Sequence, residues 1–228
     1  MSYRYETHCH TALGSGCGRF ECREIIDFYR KCGYSGIFIT DHFFNGYSAA
    51  NFKGNISWNE KVDILCSGYE GALRAAEGLD FDVFFGWEYT TEGADFLTYG
   101  LDKEWLYSHP EVMQISPEEY FNLVHACGGY VIHAHPFRQA DYIRKNVLYP
   151  NAIDAVEVIN ASHKQGTYFN DLAGSYCDCL QLPKSAGGDA HGPTKHLAGV
   201  EFDHRLTSVR DFISSMAQGQ GSIFELTL

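Results

Sequence analysis

Gly36-Ile37-Phe38-Ile39-Thr40-Asp41-His42 is the stretch on which the fold turns. Gly36 to Thr40 is apolar or β-branched and begins at a glycine, which reads as a buried strand. The run then stops on a carboxylate and an imidazole. The same grammar recurs on either side of it. Tyr3 to Thr7 leads into His8-Cys9-His10, and Phe81 to Phe85 into Gly86-Trp87-Glu88. Tyr130 to Ile132 leads into His133-Ala134-His135-Pro136-Phe137-Arg138, and Ala155 to Ile159 gives one more apolar run.

Between these strands lie amphipathic stretches. Ile25, Phe28, Tyr29 and Cys32 recur at helical spacing, and Val62, Leu65, Cys66, Tyr69, Leu73 and Ala76 continue the pattern in the next stretch. Ser116, Pro117 and Glu119 announce a third helix, with Gly128-Gly129 ending it, and Ser208 can cap a fourth ahead of a last strand from Ser222 to Leu228. Strand and helix in alternation imply parallel strands joined by helical crossovers. Seven or eight of them in 228 residues suit a closed α/β barrel better than an open sheet. One domain over residues 1–228 is expected, with catalytic groups at the C-terminal ends of the strands. The longest irregular stretch, Phe43 to Ser57, is placed as a loop over the site.

Composition narrows the function. A formal net charge of −12 lacks the basic stripe that long nucleic acid requires. Ser2-Tyr3-Arg4-Tyr5-Glu6 shows no basic stretch leading into an apolar one, and no segment has the length of a membrane span, so a cytoplasmic protein without membrane association is expected. The eight cysteines then read as reduced, small apolar residues. Cys177 and Cys179 have no second pair at finger-like spacing, which argues against structural zinc.

The strand ends carry the chemistry. Two histidines two apart on extended backbone, His8 and His10, face the same way and can reach one metal, although an isolated pair is as well explained by surface or core positions. Asp41 with His42, and Glu88, each end an apolar run, where a carboxylate either ligates or caps the next helix. His135 ends another strand, and Gly187-Gly188-Asp189-Ala190-His191-Gly192 places Asp189 and His191 two apart between glycines. Imidazole and carboxylate donors without a thiolate cluster suit Zn, Mn or Fe. His8, His10, His42, Glu88, His135, Asp189 and His191 together exceed what one ion needs, so two or three divalent ions are expected.

This ordered set, His8-x-His10, Thr40-Asp41-His42, Glu88, His135-Pro136 and Asp189-x-His191, resembles the PHP superfamily, named for polymerase and histidinol phosphatase. The resemblance implies a distorted (β/α)7 TIM-like barrel. It implies that His8, His10, Glu88 and Asp189 hold a first ion, Glu88 and His135 a second, and His42 and His191 a third. Ser15-Gly16-Cys17-Gly18 is similar to a subgroup with Ser-x-Cys-Gly after the histidine pair. Two departures stand out. Ser15, Gly16 and Cys17 occupy the place of a further ligand after His10, and Asp95 stands where the family often has a histidine. Asp95 and Cys17 are thus candidate donors, and His133, two residues before His135, is a candidate donor or outer partner.

The expected activity is hydrolysis of a small phosphomonoester by a metal-activated hydroxide, with a phosphodiesterase or exonuclease on short nucleotides, or a noncatalytic metal-binding module, as alternatives. Asp41 is expected to orient His42, and Arg138 to clamp phosphate through its guanidinium fork, with Lys164 as a second cation near the substrate. His109, His125, His196 and His204 are assigned structural or surface positions. Oligomeric state has no signature in the sequence.

Overall fold

The computed structural model describes residues 2–141, 143, 145–164 and 166–228. In chain order the elements are β1 (Tyr3–Cys9), α1 (Cys22–Lys31), β2 (Gly36–Ile39), α2 (Trp58–Ala76), β3 (Asp82–Thr91), β4 (Ala94–Tyr99) and α3 (Lys103–Ser108). They continue as α4 (Pro117–Ala126), β5 (Tyr130–Ala134), β6 (Ala155–Asn160), α5 (Phe169–Leu180), β7 (Lys184–Gly187), β8 (His196–Phe202), α6 (Val209–Ala217) and β9 (Ser222–Thr227). The sheet order is β7-β6-β5-β4-β3-β2-β1-β8-β9. The first half of β1 pairs antiparallel with β8, while its far end turns toward the other edge of the sheet. There Cys9 bridges Ala190, the His10 N–H donates to Ala190 O at 3.1 Å, and Thr7 Oγ1 donates to Ala186 O at 2.8 Å. These contacts bring β7 against β1, so β1 to β7 form a nearly closed, distorted (β/α)7 barrel with the β8–β9 hairpin appended.

Strict alternation fails among the described residues at three places, since β5 passes to β6, β7 to β8 and β3 to β4 with no helix between them. The strand expected to stop at Glu88 runs on to Thr91, reverses at Glu92-Gly93, and returns as β4, antiparallel to both β3 and β5. Gly93 takes a φ of 99°, a conformation that favours glycine and permits this tight reversal. Glu88 therefore sits within a strand, beyond the last residue of β2, where His42 bridges to it.

Inner and outer positions alternate cleanly from β2 to β6. Phe38, Leu97, Tyr99, Ile132 and Ala155 face the lumen, which Phe212 of α6 plugs from below, its ring centroid 4.5 Å from that of Phe38. Ile37, Ile39 and Val83 face α1 and α2, and Trp87, Phe96 and Val131 join the other helix-facing core. The helix signals behave as their chemistry predicts. Ser116 and Glu119 form a reciprocal capping box, Ser208 caps α6, and Ser57 with Glu60 caps α2. Helices α3 and α5 went unread. The first is a single short segment, and the second begins at Tyr168 with no side-chain cap. All eight cysteines are free, with Cys177 on the buried face of α5 and Cys179 on its exposed face. Phe43–Ser57 is irregular apart from one 3-10 turn at Ala49–Phe52. Among the described residues no helix is long and apolar enough to cross a membrane.

Candidate metal centre

The site begins with a bulge. β1 pairs Glu6 with Ile37 but Cys9 with Ile39, so one extra residue is inserted between them. An extra residue resets the face that following side chains point to. Glu6 stays on the helix side, whereas His8 and His10 turn into the lumen. Without the bulge both imidazoles would face the helices. The His8 N–H finds the Glu6 carboxylate at 2.8 Å, and Oε1 of the same carboxylate also accepts Gly188 N–H at 2.8 Å. Burial pushes the Glu6 carboxyl up to about 7. A second bulge, in β6 opposite β7, lets Glu157 and Asn160 both reach the centre.

His8, His10, His42, Glu88, His135, Asp189 and His191 come together at the mouth of the barrel. Donor atoms within 4.8 Å of one another fall into four overlapping groups: His8, His10 and Glu88; His8, His135 and Asp189; Glu88, Asp95 and His135; and His10, His42 and His191. Glu88 is the hub. One oxygen lies 3.0 Å from His135 Nε2 and 3.4 Å from His8 Nε2, and the other 2.6 Å from His42 Nδ1 and 3.5 Å from His10 Nε2. Asp189 Oδ1 sits 3.2 Å from His10 Nε2 and 3.6 Å from His8 Nε2. Asp95 is placed 3.9 Å from His135, on the wall where the replaced histidine was expected. The third cluster differs from its expected composition, since His10 joins His42 and His191.

Outer partners aim these ligands. His8 Nδ1 meets Glu157 Oε1 at 2.9 Å, and the other Glu157 oxygen accepts the His135 N–H at 2.8 Å, which leaves His8 Nε2 facing the centre as an acceptor. His10 Nδ1 meets Ser15 Oγ at 3.1 Å, and Ser15 in turn donates to Asp41 at 2.7 Å. Asp41 thus does not orient the His42 ring as expected. Its oxygens are taken up by the Thr11 N–H, the Thr11 hydroxyl and Ser15, and it acts on His10 through the serine. The same Ser15 hydroxyl accepts the His42 N–H at 3.0 Å, so Asp41 reaches His42 only through its backbone.

Backbone strain is concentrated here. His135 has φ 29° and Asp189 φ 48°, both in the left-handed region that a non-glycine residue adopts at a cost of about 1 kcal/mol or more. For His135 the consequence is direct. β5 ends at Ala134, so alternation no longer applies and the ring swings into the lumen. His133, expected on the same side, faces outward instead, stacked 4.8 Å from Phe96 and edge-on to Tyr176. Burial, with His135 adding to it, pushes its imidazole down to about 3. It is a neutral core histidine outside every donor group. The flanking glycines serve close approach, since a Cβ at Gly187 would lie 2.5 Å from His8 Cβ and one at Gly188 2.5 Å from Glu6 Oε2.

Electrostatics set the protonation states. Burial alone would raise Glu88 and Asp189, yet His42 and His8 hold Glu88, and Arg138 and His8 hold Asp189, well below the usual carboxylate range. Burial together with His191 and His42 keeps His10 well below the ordinary imidazole value. Burial raises the Cys17 thiol, but contacts with His191 and His42 outweigh it and hold it at about 7. Four buried atoms, His8 Nε2, His10 Nε2, His42 Nδ1 and Glu88 Oε2, form no aligned hydrogen bond, although His42 Nδ1 lies 2.6 Å and His10 Nε2 3.5 Å from that same Glu88 oxygen. Imidazole and carboxylate donors converging on one point without aligned hydrogen bonds between them fit divalent cations.

Arg138 lies on the cavity wall, but its Nη2 donates to Asp189 Oδ2 at 2.5 Å, to Ser162 Oγ at 2.7 Å and to Asn160 Oδ1 at 3.0 Å. That arm of the fork holds Asp189 and is not offered to phosphate. Lys164 is exposed and lines a groove that adjoins the main cavity, sharing Asp189 and His191 with it. The main cavity, about 840 Å³, opens over the centre between Tyr47, Ile143 and the β3–β4 turn. Glu6, Ser15, Glu157 and Asn160 were missed in the sequence. The available signal is Glu157, a charged residue inside the otherwise apolar run Ala155 to Ile159.

No protein-family model matches the chain, and no curated protein does. Solved structures do. A two-domain protein containing a predicted PHP-like metal-dependent phosphoesterase, from Bacteroides vulgatus, aligns over 98% of this chain with a TM-score of 0.70 at 15% identity. The chain has the PHP-like fold. It spans 65% of the length of the Bacteroides protein. A candidate metal-dependent phosphoesterase from Bifidobacterium adolescentis aligns over 94% of this chain and 96% of its own, with a TM-score of 0.57 at 16% identity. An amidohydrolase from Chromobacterium violaceum, solved with bound sulfate and no metal, covers 83% of this chain and 88% of its own, with a TM-score of 0.51 at 14% identity.

Proposed function

We propose that this chain is a metal-dependent phosphoesterase that hydrolyses the phosphomonoester of a small metabolite or nucleotide. The observation that carries the reading is the convergence of His8, His10, His42 and Glu88 donors, without aligned hydrogen bonds between them, beneath a cavity of about 840 Å³. His8, His10, Glu88 and Asp189 would hold one ion, His135 with Glu88 and Asp95 a second, and His42 with His191 a third, with Zn, Mn or Fe fitting the donors. Such ions supply a water of lowered pKa and neutralise charge on phosphoryl oxygens. The chain's own residues do the rest. Glu157 and the Asp41–Ser15 pair hold His8 and His10 in the tautomers that present Nε2. Arg138 anchors Asp189 and keeps a positive charge at the cavity wall, favouring an anionic substrate there. The formal charge of −12 disfavours long polyanions and leaves small esters as the substrate class.

The test is hydrolysis of p-nitrophenyl phosphate and its bis ester by protein reconstituted with Zn, Mn or Fe, alongside elemental analysis of protein purified without chelator. Two or more ions per chain with preferential monoester cleavage is the expected result. Cleavage of the bis ester alone would overturn the monoesterase reading. Fewer than two ions would overturn the multinuclear centre.

A further inference from the structure

We propose that Tyr47 is a specificity-determining residue that stacks on a planar, uncharged aromatic leaving group. The inference rests on the phosphomonoesterase reading and extends it to a substrate class. Tyr47 is 54% exposed and Phe52 60% exposed, with their rings edge to face at 5.0 Å, and Tyr47 lines the mouth of the cavity that holds Glu88, Asp95 and His191. A lone exposed aromatic needs no explanation, but this one is built in.

Its backbone is stapled to the segment that follows the histidine pair. Gly16 N–H donates to Tyr47 O at 2.8 Å, and Ser15 bridges Ser48. Asn51 Nδ2 closes the loop from within by donating to Phe44 O at 3.0 Å and Gly46 O at 2.9 Å. The ring pair rests directly on Gly16, where a Cβ would lie 2.4 Å from Phe52 and 3.1 Å from Tyr47. Phe43 and Phe44, both buried, anchor the loop underneath. A ring fixed before its ligand arrives gives up little conformational freedom on binding, which is what a stacking platform requires.

The β3–β4 turn, which packs beside Tyr47 through Thr90 against Asn45 and Gly46, limits the charge of what can lie on the ring. Beyond the centre the cavity is lined by Thr90, Thr91 and Glu92, and the Lys145 ammonium beside Glu92 is paired to it at 3.3 Å. Hydroxyls and a carboxylate accommodate a neutral, hydrogen-bonding group and repel a second phosphate. An aromatic face with hydroxyls at its border selects a flat ring with polar edges.

Matched non-hydrolysable ligands test the assignment: benzylphosphonate against cyclohexylmethylphosphonate, titrated calorimetrically into the metal-loaded chain. They share their anion and approximate size and differ in the π face. Wild type is expected to bind the benzyl compound about fivefold more tightly, within the range of a single aromatic pair. Tyr47→Phe should keep that ratio and Tyr47→Ala should bring it to about one. The same ratio of KM values should appear for the two corresponding phosphates. Equal affinities in wild type, or a preference that survives in Tyr47→Ala, overturn the proposal. A change in oligomeric state on Tyr47→Ala with the preference intact likewise overturns it and makes the ring pair an interface. If the benzyl preference depends on Tyr47 but neither phosphate is hydrolysed, the stacking site stands and the phosphomonoesterase reading fails.

Discussion

The two ends of the barrel lumen are lined by the same strands and obey different physics. At the lower end Phe38, Leu97, Tyr99, Ile132 and Phe212 pack ring against chain, and their one polar side-chain atom, the Tyr99 hydroxyl, donates to Thr7 O at 2.6 Å. At the upper end the next inward positions of those strands carry Glu88, Asp95 and His135, and the backbone is strained at His135 and Asp189. One end gains from excluding water. The other holds buried charge and donor atoms without aligned hydrogen bonds, which cost stability unless cations satisfy them. The separation lets a chain concentrate its unfavourable groups in one layer while an apolar layer beneath maintains the fold.

If the two ends are independent, substitutions should separate stability from chemistry. The largest effect is expected for Glu88→Gln, which removes the shared hub. Phosphatase turnover should fall by more than the roughly 100-fold typical of losing an outer partner, with fewer ions per chain by elemental analysis. A metal content equal to wild type would show that the centre is not organised around Glu88. Next comes Phe212→Ala at the lower end, which should cost about 3–5 kcal/mol in denaturant unfolding, while turnover per folded molecule at low temperature stays at the wild-type value. A parallel loss of turnover would break the comparison by showing that the lower layer sets ligand geometry. The smallest effect, and the one that sharpens the boundary, is Glu157→Gln. Its carboxylate lies between the layers and fixes His8, so metal affinity measured by chelator competition should drop by about 10–100-fold. An unchanged affinity would mean that lumen packing alone orients His8.

The strand-end motifs were legible because a hydrophobic run broken by His, Asp or Glu is a local pattern. Their assembly into one cluster follows from barrel topology. The capping boxes were legible for the same reason, since Ser116 and Glu119 need only each other. Less legible was anything that depends on which face a residue takes. Glu6 and Glu157 are both charged residues in strands, yet one sits behind the sheet and the other within the lumen. His133 and His135 share a parity and point to opposite sides. Asp41 and His42 are adjacent, but the carboxylate serves His10.

Sequence by itself determined the succession of strands and helices, the donor types, and the resemblance that ordered them, because periodicity, capping and residue chemistry act over a few residues. Tertiary structure alone decided the reversal of β4, the bulges that turn His8, His10 and Asn160 inward, and the tethering of Arg138 to Asp189. Each of these depends on register between segments far apart in the chain. A one-residue slip inverts every side chain that follows, and no local pattern records it.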